Sequence, residues 1–133
     1  MLHVFLVEDN LLIRKNLEET LSELVGATLV GTADSEAGAT QWLAANPQIW
    51  DLAIVDLFLK QGTGLPVIVA SKDRTSRQKV IVLSNYLSPE VRSKCLALGA
   101  DAVFDKTHDI ERFVAFCIDL KTTFMSMGLT PSQ

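Results

Sequence analysis

Two kinds of apolar patterning alternate along this chain. Short unbroken runs occur at Val4 to Val7, Leu52 to Val55, Val80 to Leu83 and Ala102 to Phe104, and Thr28 to Ala33, TLVGTA, reads as a further strand. Successive apolar positions mark a strand buried on both faces, whereas recurrence every three or four residues marks an amphipathic helix. The helical kind begins at Leu11, with Ile13, Leu17, Leu21 and Leu24 on one stripe and Arg14, Lys15, Glu18, Glu19 and Glu23 on the wet face. Gly26 ends that helix. A second helix, capped by Asp34 or Ser35, runs through Ala37, Ala39, Trp42 and Leu43 to Asn46 and stops at Pro47. After the loop Gln61-Gly62-Thr63-Gly64, Leu65 to Ser71 form a short helix with Pro66 in its first turn. Lys72 to Lys79 read as a solvated polar connection. Ser88 caps a fourth helix with Pro89 at its first position and Gly99 at its end, and a fifth runs from about Asp109 to Phe124. Strands alternating with helices in this way predict an α/β fold with a parallel sheet and right-handed crossovers.

A length of 133 residues fits one domain, expected over residues 1–125, with a short polar tail, 126–133, that frays. The net charge of −4 disfavours direct nucleic-acid binding, which needs a basic face. No apolar run approaches the ~18 residues of a membrane span. The N-terminus, Met-Leu-His-Val-Phe, carries no secretory pattern, so the expected location is cytoplasmic. Cys95 and Cys117 lie in helical patterns beside apolar residues and read as buried free thiols.

The chemistry gathers where strands end. In an open parallel sheet, ligands bind in the crevice outside the carboxyl ends of the strands. There the first strand delivers Glu8 and Asp9, the third Asp56, the fourth Ser84 and the fifth Lys106. Three converging carboxylates repel one another and call for a cation or protons. Hard oxygen donors suit Mg²⁺, and a lysine and a hydroxyl beside it suit the oxygens of a phosphoryl group. The set points to phosphoryl transfer onto a carboxylate, with Asp56 as nucleophile. Each residue alone has a plainer role. Asp56 could cap a loop or helix, Glu8 and Asp9 could offset a helix dipole, Ser84 could be a plain strand-end hydroxyl, Lys106 could be a solvated loop lysine, and Phe104 could be core. Their conjunction at successive strand ends outweighs those roles. A flavin or nucleotide binder on the same fold would need a glycine- or hydroxyl-rich phosphate loop where Glu8-Asp9 stand. A metal-dependent phosphatase would need a second acid soon after Asp56, where Leu57-Phe58 follow.

The Glu8-Asp9 pair, Asp56 with Gly62 and Gly64 after it, Ser84, and Phe104 two residues before Lys106 resemble a CheY-like response-regulator receiver domain of bacterial two-component signalling. The resemblance covers His3 to about Phe124. It implies a flavodoxin-like (βα)5 three-layer fold with a five-stranded parallel sheet of order 2-1-3-4-5. It implies phosphorylation of Asp56 by a sensor histidine kinase or phosphotransfer protein, with Mg²⁺ as the only cofactor. Asp9, Asp56 and the Phe58 main-chain carbonyl would hold the ion, with Glu8 acting mostly through water, and Lys106 and Ser84 would bind phosphoryl oxygens. Ser84 would move toward the phosphate and Phe104 would turn inward, altering the face of the fourth helix, fifth strand and fifth helix. A homodimer or an output partner would use that face, with no nucleic acid or membrane bound directly. The domain would be a signalling module that catalyses only its own phosphorylation and dephosphorylation, not a conventional enzyme.

Departures from the family pattern carry expectations of their own. Thr107 replaces a proline usually in a cis bond, and a non-proline cis bond costs about 3 kcal/mol, so a trans Lys106–Thr107 peptide is expected. Lys60 stands where proline is frequent and is expected to loosen the loop after Asp56. Phe58 and Tyr86, two residues beyond Asp56 and Ser84, flank the path of the hydrolytic water and are expected to slow autodephosphorylation. On the fifth helix, Ile110, Phe113, Val114, Cys117 and the stem of Lys121 are expected to face the sheet. Phe116, Leu120 and Phe124 would then form a second apolar face that docks a partner or a second copy.

Overall fold

Alternate residues of the three central strands serve two cores on opposite faces of the sheet, which is why those strands read as unbroken apolar runs. The computed structural model describes residues 1–126. Its elements are β1 (Leu2–Val7), α1 (Leu11–Thr20) continuing into a π-helical turn (Leu21–Val25), β2 (Ala27–Ala33) and α2 (Glu36–Ala45). They continue with β3 (Leu52–Val55), α3 (Leu65–Ala70), β4 (Lys79–Ser84), α4 (Pro89–Ala97), β5 (Ala102–Asp105) and α5 (Ile110–Ser126). The five strands form one parallel sheet in the order β2-β1-β3-β4-β5. Leu2, Val4 and Leu6 of β1 join Leu52, Ile54, Ile81 and Leu83 in a core closed by α1 and α5. Phe5 and Val7 join Ala53, Val55, Val80 and Val82 in a second core closed by α2, α3 and α4. This is the flavodoxin-like three-layer arrangement, and the strand order reverses between β1 and β3, where the crevice opens.

Side chains start the helices where the sequence offers oxygens. Asn10 accepts the Ile13 N–H, Ser35 the Gly38 N–H and Ser88 the Val91 N–H. Of the two candidate caps for α2, Ser35 takes the role. Both cysteines are buried free thiols, and burial pushes the Cys117 thiol up to about 12. None of the helices among the described residues is long and apolar enough to cross a membrane.

Four expectations need correction. Leu24 is exposed, and Val25 enters the core instead, because the wider π turn advances the buried stripe by one residue. Leu120 and Phe124 are buried in the core on the α1 side of the sheet, and Phe116 packs against that same core. Phe113, Cys117, Leu120 and Phe124 therefore make one buried stripe with Val114 and Phe116 at its margin. The second docking face expected from Phe116, Leu120 and Phe124 is not formed, while Ile110, expected to face the sheet, is exposed. The segment from Lys72 to Lys79 is more than a solvated connection. The Arg74 guanidinium donates to the carbonyls of Gly99, Ser71 and Gln78 and to Asp101, while buried Gln78 donates to the carbonyls of Pro47 and Trp50. Backbone oxygens that no strand or helix satisfies recruit those donors. Finally, Ser126 is the last residue of α5, and the rest of the expected tail, 127–133, lies outside the described residues.

Candidate functional site

Ladder hydrogen bonds run one residue past the strands and decide where the polar side chains emerge. The Glu8 N–H donates to the Ala33 carbonyl at 3.0 Å, Asp56 N–H to Val7 at 3.0 Å, and Lys106 N–H to Ser84 at 3.0 Å. These contacts bring Glu8, Asp9, Asp56, Ser84 and Lys106 into one crevice at the carboxyl end of the sheet. Asp56 is only 6% exposed. Its Oδ1 accepts the Ser84 hydroxyl at 2.6 Å and the Phe58 N–H at 3.2 Å, and its Oδ2 accepts Lys106 Nζ at 2.9 Å. Lys106 also donates to Glu8 Oε1, and the Asn10 N–H donates to Glu8 Oε2 at 3.2 Å. Asp9 accepts the Lys60 N–H at 2.6 Å. One carboxylate oxygen from each of Glu8, Asp9 and Asp56 lies within 4.8 Å of the others.

Burial raises the Glu8 carboxyl above the usual carboxylate range. The Lys106 ammonium and the Asn10 N–H oppose that rise, the Asp56 charge adds to it, and the net direction stays upward. Burial pulls Lys106 down, yet the Glu8 and Asp56 carboxylates outweigh it and hold Lys106 above the ordinary lysine value. Lys106 is therefore an ammonium at neutral pH. One ammonium facing three acids leaves surplus negative charge when all three are ionised. All the surplus donors are hard oxygens, brought together from the ends of two strands, and that donor set fits a small divalent cation such as Mg²⁺.

The loop after Asp56 is tied down rather than loose, contrary to the expectation drawn from Lys60. Besides the Lys60–Asp9 bond, the Glu36 N–H donates to the Gln61 carbonyl, Glu36 Oε1 accepts the Thr63 N–H at 3.0 Å, and Phe58 pairs with Thr63 in a short antiparallel bridge. Gly62 lies at φ 87°, a left-handed conformation that suits glycine. At Gly64 a Cβ would come within 2.3 Å of the Asp56 carbonyl oxygen, so only glycine lets the loop pass this close to the acid. Sequence reasoning missed Glu36; its place at the start of a helix that faces the glycine loop was the available signal.

Among the described residues no peptide bond is cis, so Lys106–Thr107 is trans as expected. An Asx-type turn replaces the proline: Asp105 Oδ1 accepts the N–H groups of Thr107 (2.7 Å) and His108 (3.0 Å), and Asp109 Oδ2 accepts the Asp105 N–H (3.0 Å). Those bonds hold both carboxyls below the usual carboxylate range, with Arg92 adding to the effect at Asp109. Lys106 consequently reaches the crevice without the proline. Ser84 does not stand off from Asp56, since its hydroxyl already bonds the acid. Phe104 packs its ring edge-on to Phe113 at 6.1 Å and Phe116 at 5.8 Å. Phe58 and Tyr86 meet edge to face at 6.4 Å, both exposed, with Tyr86 in the left-handed region at φ 57°.

A family model described as the response regulator receiver domain matches residues 4–117. The chain belongs to that family. It is similar to a putative transcriptional regulator of Pseudomonas aeruginosa, 32% identical over 86% of this chain and 54% of that protein. It is also similar to the two-component response regulator ARR17 of Arabidopsis thaliana, 28% identical over 91% of this chain and 88% of that one. Its fold matches the crystal structure of a response regulator from Burkholderia pseudomallei with a phosphorylated aspartic acid, a calcium ion and citrate. That match has a TM-score of 0.75 at 20% identity, over 96% of this chain and 72% of that one. This receiver domain spans about half the length of most of the curated relatives it matches. Receiver domains are signalling domains of two-component systems that bind Mg²⁺ at an acidic pocket, and this one gathers Glu8, Asp9 and Asp56 in an acidic cluster.

Proposed function

We propose that Asp56 is the phosphoacceptor of this receiver domain, charged by the phosphohistidine of a sensor histidine kinase or a phosphotransfer protein. The observation that carries the reading is a buried aspartate bonded through both oxygens, to Ser84 on one side and Lys106 on the other, with two further acids within 4.8 Å. Asp9, Asp56 and the Phe58 main-chain carbonyl would hold Mg²⁺, with Glu8 acting through water. When bound, the ion offsets the repulsion between the acids and an incoming phosphoryl group.

The chain's own residues do the rest. An Asp56 oxygen forms a bond to phosphorus as the phosphorus–nitrogen bond of the donor breaks, and the freed imidazole takes up a proton. Lys106, held in its charged form, pairs with a phosphoryl oxygen as negative charge builds there. The Ser84 hydroxyl exchanges its bond to Asp56 for one to another phosphoryl oxygen. That exchange reaches Phe104, whose ring contacts with Phe113 and Phe116 change the face of α4, β5 and α5 offered to an output partner or a second copy. Phe58 and Tyr86 screen the acyl phosphate from water.

A small phosphodonor such as acetyl phosphate, supplied with Mg²⁺, tests the reading. The expected product is one hydroxylamine-sensitive phosphate per chain, absent from Asp56→Asn. Equal incorporation into that variant would overturn the assignment. Sedimentation with and without a phosphate mimic reports on self-association: an unchanged monomer in both states argues against the homodimer.

A further inference from the structure

Asp9 differs from its acidic neighbours in what holds it. Glu8 and Asp56 share the Lys106 ammonium, whereas the only hydrogen bond to Asp9 among the described residues comes from the backbone N–H of Lys60. We infer that the Lys60 amide positions the Asp9 carboxylate for the divalent cation; the inference rests on the cation site proposed above.

Three observations support it. First, the bond is short, 2.6 Å, and occupies one carboxylate oxygen, which leaves the other for an ion. Outer partners of this kind orient metal ligands, and losing one typically weakens metal binding about 10- to 100-fold. Second, the donor is itself held in place. Glu36 fixes Gln61 and Thr63, Thr63 pairs with Phe58, and the Gly64 N–H donates to the Leu57 carbonyl at 3.0 Å. The amide therefore arrives on a braced loop, and α2 is linked through that loop to an acid of the crevice. Third, the contact depends on what residue 60 is not. Any residue except proline supplies an N–H there, while proline removes the donor and fixes φ. The Lys60 side chain is exposed and makes no ion pair among the described residues, so its ammonium is dispensable to the contact. Where the family often has proline, this chain has gained a hydrogen bond onto Asp9.

Calorimetric titration of MgCl₂ into the unphosphorylated full chain tests this. The variants are Lys60→Ala, Lys60→Pro, and an ester that replaces the peptide bond between Leu59 and Lys60. The ester deletes the N–H and keeps the side chain, and so covers the case in which proline disturbs the loop. Lys60→Ala should bind Mg²⁺ within about twofold of the wild type, because an exposed ammonium contributes little. The ester and Lys60→Pro should bind about tenfold more weakly, by loss of the outer partner. Circular dichroism should stay unchanged throughout. Wild-type affinity in the ester variant, or an equal loss in Lys60→Ala, overturns the role of the amide while the cation site stands. Absence of Mg²⁺ binding by the wild-type chain would instead remove the site and the inference together.

Discussion

Strand β3 is flanked by two buried aspartates, and the contrast between them separates a structural acid from the proposed phosphoacceptor. Asp51 precedes the strand and is fully buried; Asp56 follows it at 6% exposure. Asp51 accepts the His3 N–H at 2.8 Å and lies 3.5 Å from the Arg77 guanidinium, while its own backbone bonds His3 and Lys79. Donors and a cation surround it. Asp56 is as well hydrogen-bonded, yet it shares its crevice with Glu8 and Asp9. Burial and hydrogen bonding are common to both positions. What distinguishes Asp56 is like charge gathered at an opening, a demand for positive charge that one lysine does not meet.

The contrast can be broken experimentally, beginning with the largest effect. Asp56→Asn should abolish phosphate incorporation from acetyl phosphate, while Asp51→Asn should retain it; loss in both would mean that the two acids are not functionally distinct. Stability should follow the reverse order. Asp51→Ala strands buried donors and should cost about 1–3 kcal/mol in urea denaturation, whereas Asp56→Ala relieves repulsion and should cost less. A larger loss for Asp56→Ala would show that crowding at the crevice is not strained. A smaller effect concerns lifetime. Phe58→Asn should speed loss of the acyl phosphate several-fold at unchanged thermal midpoint, since Phe58 is half exposed. An unaltered decay would dispose of aromatic screening.

The smallest effect separates the turn that carries Lys106 from both acids. Asp105 and Asp109 have folded-state values below their unfolded ones. Their contribution is fully present above the unfolded value of about 4 and disappears as pH falls through the lowered folded values. Asp109→Asn should therefore flatten the acid limb of the stability profile relative to the wild type. Parallel profiles below about pH 4 would show that the turn does not depend on these carboxylates.

How much was legible beforehand follows from which interactions are local. The central strands β1, β3 and β4 announced themselves because both faces of each are buried, and the caps at Ser35 and Ser88 because a side-chain oxygen at a helix start has a near neighbour to bond. Asp56, Ser84, Lys106 and the Glu8-Asp9 pair were legible because a strand's end is fixed by its own apolar run. The breadth of the α5 stripe was not, since Leu120 and Phe124 are buried in a core shared with Leu17, Leu21 and Val25, which are distant in sequence. Nor was the π turn that places Val25 rather than Leu24 in the core, a turn whose Val25 carbonyl accepts from the distant Lys121 ammonium.

Sequence alone determined the strand and helix alternation, the acids and the lysine at the strand ends, and the family to which they belong. Each of these is written in residue type and spacing. Only the tertiary structure decided that Ser84 already rests on Asp56, that Glu36 braces the glycine loop, and that a backbone amide at position 60 grips Asp9. Those contacts join residues up to 51 positions apart. Backbone donors also carry no signature in residue type, so pattern and spacing have no means of announcing them.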